Sequence, residues 1–295
     1  MATNTIAACN LDQIALESLP FAQSYLAPLQ AFTTDFSAAI AGDGQSVSTR
    51  IPTKPTAVDL SSGYTSQNTA MVGKTITLNQ FYGYVWGFND LERSKSSIDL
   101  NQLFVRPAIQ ALGENIFAFI WNLVTSANFT TATSAIAAAD FDRNDLADIS
   151  ATLTGTLKAP KADRAVLLNT TYYASLVKTL NAAEIPGITP EKREGIVPRV
   201  AGFDVFESDQ CDNNSQNLQG FALHKSALIM AARGVDSTGF VGPDAEIADV
   251  VVPGLNLPIQ WRRWYDRNAG ELKMSVGCLY GASVGTNFGV RIVSA

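Results

Sequence analysis

Histidine is almost missing from this chain: His224 is the only one among 295 residues. A metal centre built on several imidazoles is therefore excluded, since catalytic zinc sites draw most of their ligands from histidine. Cysteine is scarce as well, with Cys9, Cys211 and Cys278 making three in all. The number is odd and no pair has the CxxC spacing, so neither a disulfide framework nor a zinc ribbon is expected, and buried reduced thiols are. Charge is thin, at 16% Asp, Glu, Lys and Arg, against about 25% in ordinary soluble domains. A surface covered instead with Ser, Thr, Asn, Gln and Ala repels its own copies weakly, which suits a protein that packs against others over much of its area.

Basic charge is the shorter of the two signs: 21 Lys and Arg stand against 27 Asp and Glu, for a net charge of −6. Sequence-specific binding of nucleic acid is excluded on that balance, because affinity for a polyanion comes from cations that displace counterions. No run of about 18 apolar residues occurs, so no membrane-spanning helix is expected. The first Lys or Arg is Arg50, which deprives Ile6-Ala7-Ala8-Cys9 of the basic flank a signal peptide requires. On that reading the sequons at Asn128, Asn169 and Asn213 carry no glycan.

What is present is a globular composition, 46% hydrophobic, in a chain long enough to bury roughly 75% of its unfolded surface without staples. Residues 1–46 lack any basic residue, and their apolar stretch Leu11 to Leu29 is interrupted by Pro20 and Pro28. They read as an arm that lies on something else, with the prolines breaking any long helix. From Val47 the period becomes two, weakly over Val47, Thr49 and Ile51, then plainly over Val72, Ile76, Leu78, Tyr82, Tyr84, Trp86 and Phe88. With the polar tip Ser61 to Asn68 between, 47–95 is expected to be one long β-hairpin and its connection. A lone hairpin is marginal in water; its aromatic face needs a partner, either this chain's core or a neighbouring subunit. Lys74, Ile76, Leu78, Tyr82, Tyr84 and Trp86 are the candidate contacts between subunits.

Ser96 and Asp99 have the spacing of a capping box, and Ile109, Leu112, Ile116, Phe119, Ile120 and Leu123 follow helical spacing to about Ser126. Pro107 marks either the first turn or a kink. Beyond it come a helix over Asn144–Leu153, a strand over Arg164–Asn169, a helix over Thr171–Leu180, strands over Val200–Glu207 and Gln219–His224, and a helix over Ser226–Ala232. From Ala248 the chain reads as strands, with a turn at Asp266–Gly270. No solenoid repeat is present. The fold class is α+β.

Several short motifs resemble catalytic ones and fail on context. Gly281-Ala282-Ser283-Val284-Gly285 matches the nucleophile elbow and follows a strand. A helix and a downstream histidine should come next; a further strand does, and the histidine lies upstream. Glycines that permit a bend or a close strand approach are the better reading. Gly73-Lys74-Thr75 ends like a phosphate loop but has Asn68 where the first glycine belongs. Asp140, Asp142 and Asn144 open like a calcium loop, yet Asp145 stands at the glycine position and Ala151 at the closing glutamate; helix capping explains them. His224 at a strand-to-helix junction has no recognisable nucleophile beside it. No catalytic residue, cofactor or metal is assigned.

Taken in order, the segments resemble the major capsid proteins of tailed bacteriophages, the Hong Kong 97-type fold. Phe36 to Pro52, with Gly42-Asp43-Gly44 leading into Val47-Ser48-Thr49-Arg50-Ile51-Pro52, is similar to the exit of an N-terminal arm into an extended loop. Phe88-Asn89-Asp90-Leu91-Glu92 resembles that loop's return. Ser96 to Ser126 is similar to the spine helix. Arg164 to Asn169 with Tyr173-Ala174, and Gly220 to Leu228, resemble the axial domain; Trp261 to Asp266 and Leu279-Tyr280-Gly281 resemble returning strands of the peripheral domain. The resemblance implies an arm over 1–46, an extended loop over 47–95, a peripheral domain over 96–139 and 246–295, and an axial domain over 140–245. It implies a non-enzymatic virion protein, assembled in the host cytoplasm from pentamers and hexamers of itself into an icosahedral shell around double-stranded DNA. A portal, a separate scaffolding protein and a decoration protein are the expected partners. Two other readings stand beside it: an encapsulin-like compartment, and an intracellular hydrolase using Ser283.

Overall fold

The computed structural model describes residues 11–32, 46–52, 56–64, 66, 71–95, 100–180, 199–235 and 245–294. A five-stranded sheet has β3 (Gln80–Asn89), β10 (Glu271–Val284), β9 (Leu257–Asp266) and β8 (Ala245–Val252) in that spatial order, and β7 (Leu228–Arg233) pairs with the end of β10. The alternation of β10 is the reason it lies at the centre: Met274, Val276, Cys278 and Tyr280 are buried in the core, while Lys273, Ser275 and Gly277 face the other side. Asp266 closes the β9–β10 turn by accepting from the Asn268 and Ala269 amides.

The short helix α2 (Asp90–Lys95) follows β3, and on the core side of the sheet lie α3 (Leu100–Trp121) and α1 (Leu11–Tyr25). Ile109, Leu112, Ile116 and Ile120 of α3 are at most 4% exposed, as helical spacing requires of one apolar face. Helix α3 begins seven residues before Pro107 and runs through it to Trp121. The Ser96–Asp99 capping box, the Gly42-Asp43-Gly44 turn and Cys9 lie outside the described residues.

The smaller sheet has the order β11 (Gly289–Val293), β6 (Leu218–His224), β4 (Arg164–Leu168), β5 (Asp204–Glu207), and β4 and β5 are parallel. All five residues of β4 are buried. Val166 and Leu168 face α4 (Arg143–Gly155) and α5 (Thr170–Thr179), and Ala165 and Leu167 join the main core. Both faces of this sheet are covered, which is why Arg164 to Leu168 is a continuous apolar run after its first residue.

Four expectations need correction. First, Pro20 does not break the segment Leu11 to Leu29: α1 runs through it, and with the 3-10 turn Ala27–Ala31 it lies on this chain's own main core, burying Leu11, Ile14, Ala15, Ala22, Leu26 and Leu29. Pro20 sits inside α1 on its exposed side. The carbonyl its missing N–H would have bonded belongs to Leu16, itself 59% exposed, so water can serve it. Second, the hairpin consists of β1 (Ser46–Pro52) and β2 (Met71–Thr77) only, while β3 pairs with β10 from Asn89–Glu271 to Gln80–Tyr280. Third, Ser226–Ala232 is not helical: a 3-10 turn over Lys225–Ala227 leads into β7, whose first five residues are all buried. A run apolar on both faces has no period by which to separate strand from helix. Fourth, the long helix stops five residues short of Ser126. Two strands also cross the expected domain borders, with β7 in the larger sheet and β11 in the smaller.

Candidate functional site

Each motif of catalytic appearance has a structural task. Ser283 lies inside β10 opposite Ile229 of β7, with no elbow. A β-carbon at Gly281 would overlap the Thr77 carbonyl, and one at Gly285 the Ser226 carbonyl, so these glycines allow chains to pass in near contact. Gly73-Lys74-Thr75 is extended in β2 opposite Arg50, Thr49 and Ser48. Asp142 caps α4, accepting from the Asn144 and Asp145 amides at 2.7 and 3.2 Å, while Asp145 accepts from the Asp142 amide at 2.9 Å. That is a reciprocal capping box.

His224 closes the β6 end in the same manner. Its Nδ1 is 2.7 Å from Ser226 Oγ, which is 3.0 Å from Thr286 Oγ1, and the Ser226 amide donates to the ring at 3.2 Å. Burial holds its pKa below the usual histidine value; Asp163 opposes that shift, and Arg164 and Lys225 add to it. Cys211 and Cys278 are free and buried. Burial raises both thiols, that of Cys278 to about 12. Among the described residues no group of three or more metal-ligating side chains occurs, and no helix is long and apolar enough to cross a membrane.

The six candidate contacts divide in half. Ile76, Leu78 and Trp86 are 0%, 3% and 7% exposed within the chain. Ile76 and Leu78 pack with Val47, Ile229 and Ala231 at the hairpin base, and Trp86 stands edge-on to Trp261 in the main core. As contacts between subunits these three are corrected: their surface is spent inside the fold. Tyr82 and Tyr84 remain about half exposed on β3, and Lys74 is half-buried on β2. The sequence reading passed over Phe81 and Val85, each 59% exposed on the opposite face of β3. The signal was there, since residues 80–89 contain no charge and sheet edges are ordinarily guarded by charge or proline.

Among solved structures, the chain is similar to one from Mycobacterium phage Che8, at TM-score 0.61 and 17% identity over 89% of each chain. It is similar to the capsid structure of the cyanophage P-SCSP1u, at TM-score 0.58 and 14% identity over 90% of this chain and 86% of that one. The fold is of the Hong Kong 97 type. A virus-like particle from Pyrococcus furiosus shares it, at TM-score 0.52 and 12% identity over 94% of this chain and 99% of that one. No family model and no curated protein matches the chain.

Two further surfaces of this Hong Kong 97-type chain flank the smaller sheet. Beyond the C-terminal ends of β4 and β5 lies a cleft of 440 Å3 between the 3-10 turn, α3 and the segment after β5. Phe117, Phe206 and Tyr25 line its apolar side, and Glu114, Glu207 and Asp209 its rim, with no Lys or Arg in the lining. At the other end of β4 the loop 156–163 carries exposed Lys158 and Lys161, and Lys158 and Asp163 adopt φ of 58° and 52°. Arg164 holds the loop in that shape. Only 2% exposed, it donates to the Pro160 carbonyl at 2.7 Å and the Ala159 carbonyl at 2.8 Å. Its remaining donors reach the Ser150 carbonyl and hydroxyl and the Thr154 hydroxyl of α4.

Proposed function

We propose that the chain is a structural subunit that assembles with copies of itself into the icosahedral capsid of a tailed phage, enclosing double-stranded DNA without reading it. The observation that carries this is a fold shared over nine-tenths of the chain with the cyanophage capsid structure. Exposed apolar residues on β3 and the hairpin, among them Phe81, Val85, Met71 and Tyr64, supply surface for lateral contacts. A net charge of −6 keeps the inner wall from gripping the polyanion. On this reading α3 is the spine helix, β1 and β2 form the extended loop, the smaller sheet with α4 and α5 is the core of the axial domain, and the larger sheet is that of the peripheral domain. Tyr82, Tyr84 and Lys74 keep their place as contacts between copies. Assembly in the host cytoplasm, a portal, a separate scaffold and a decoration protein belong to the same proposal.

Light scattering and negative-stain microscopy of the purified chain, alone and co-expressed with candidate scaffolds, test it. Megadalton shells, or rings of five and six, are expected. Monomers under every condition would refute it. The match to the virus-like particle over 99% of that chain favours, as a second reading, a compartment shell without a virus; DNA or enclosed protein inside isolated particles separates the two.

A further inference from the structure

We infer that the acidic cleft and the lysine loop at opposite ends of the smaller sheet are the two halves of one head-to-tail contact between neighbouring copies, so that Lys158 and Lys161 of one copy enter the cleft rimmed by Glu207 and Asp209 of the next. The inference rests on the ring-forming reading above and names the surface that forms the ring.

Charge supplies the first argument. Glu207 and Asp209 are exposed and, among the described residues, neither has a cationic partner; Glu114 accepts only from the Gln110 side chain. Lys158 and Lys161 are exposed and likewise have no ion pair among the described residues. In a chain with so few charges, opposite and unpaired groups in two groups are complementary surfaces in want of each other.

Topology supplies the second. The loop runs directly into Arg164 at the start of β4, whereas the cleft opens past Leu168, whose carbonyl accepts from the Ser208 amide at 3.0 Å. Five strand residues put the two roughly 16 Å apart, beyond the reach of a lysine, so the pairing cannot close within one chain. Complementary patches on opposite ends of one element make a heterologous contact, the type that forms rings where its rotation closes.

Shape supplies the third. The loop is held with two non-glycine residues in the left-handed region, a conformation that costs energy and persists only where the surroundings impose it; here Arg164 does. The cleft offers Phe117 and Phe206 beneath an acidic rim, which matches a lysine's apolar stem and charged head.

The test uses the assembled wild-type protein. A zero-length carbodiimide joins lysine amines to carboxylates already in contact, and mass spectrometry on mixed isotope-labelled and unlabelled copies reads which pairs join between copies. Amides linking Lys158 or Lys161 to Glu207 or Asp209 are expected; particles with cross-links elsewhere and none here would overturn the contact. Charge reversal gives an independent reading. Lys158→Glu with Lys161→Glu, and Glu207→Lys with Asp209→Lys, should each abolish rings while leaving circular dichroism unchanged. Mixing the two variants lets them alternate, so rings should return with even subunit numbers, six and not five. Reversed variants that still make normal rings would overturn the contact alone, whereas a wild-type chain that never makes particles would overturn the capsid reading with it.

Discussion

Replacing Arg164 with methionine removes a buried cation that no carboxylate neutralises among the described residues. Its guanidinium is held by three carbonyls and two hydroxyls, and burial lowers its pKa. Methionine keeps most of the volume and none of the donors. The Ser150 and Thr154 hydroxyls can turn to other partners, whereas the Ala159 and Pro160 carbonyls cannot turn without moving the loop. Each stranded carbonyl costs about 1–3 kcal/mol, so the pair costs roughly 4 kcal/mol. Relief from holding an unpaired charge out of water returns part of that, and we expect a net loss of about 3 kcal/mol. At about 2–4 °C per kcal/mol the melting temperature should fall by roughly 6–12 °C. Calorimetry of the unassembled chain measures the fall, and hydrogen exchange should show lost protection in the loop 156–163 while β10 is unchanged. An Arg164→Met protein that melts where the wild type does, with its loop amides still protected, would refute the view that the cation holds the loop.

Two more predictions follow from single positions. Gly281→Ala drives a methyl into the Thr77 carbonyl and should cost about 1–3 kcal/mol by lifting the hairpin from its seat, read as faster protease cleavage in 56–64; wild-type cleavage would show the seat to be unimportant. Because the folded pKa of His224 is depressed, its neutral form is favoured in the fold, so stability is full above about 6.5 and declines as pH falls below it, since the unfolded chain takes up the proton first. His224 is the only histidine, so a melting curve flat from about pH 7 to 5.5 in wild type, or equally sloped in His224→Gln, would contradict that assignment.

Elements with their own period could be read from the sequence, and those defined by a distant partner could not. Helices α4 and α5 and strands β4 and β6 fall within two residues of expectation, because Asp142 and Asn169 cap their helices and β4 is an unbroken apolar run. The sequence joins β3 to the hairpin because Val72 to Phe88 keeps one alternation across Leu78-Asn79; alternation says which side a residue faces, never which strand lies beside it. The pairing of β3 with β10, which sets Trp86 opposite Met274, is what places Trp86 in this chain's own core and leaves Tyr82 and Tyr84 half exposed. Pro20 hides helix α1 in the sequence, because a proline reads as a breaker, whereas burial of five or more apolar side chains outweighs one lost bond. The acidic cleft draws Glu114 and Glu207 from segments far apart in sequence and leaves no local pattern at all.

The hairpin base, clamped over Gly281 by Ile76 and Leu78, also sets a tolerance. Seven residues of strand reach roughly 23 Å, so the tip travels about 4 Å for each ~10° of rotation at the clamp. On the proposed capsid reading, one subunit would serve at both five-fold and six-fold positions, and rotation at this clamp would supply the difference in angle. Here the pivot is a seat without a side chain beneath it, and on that reading the curvature of a shell would become a matter of how far one strand can roll upon another.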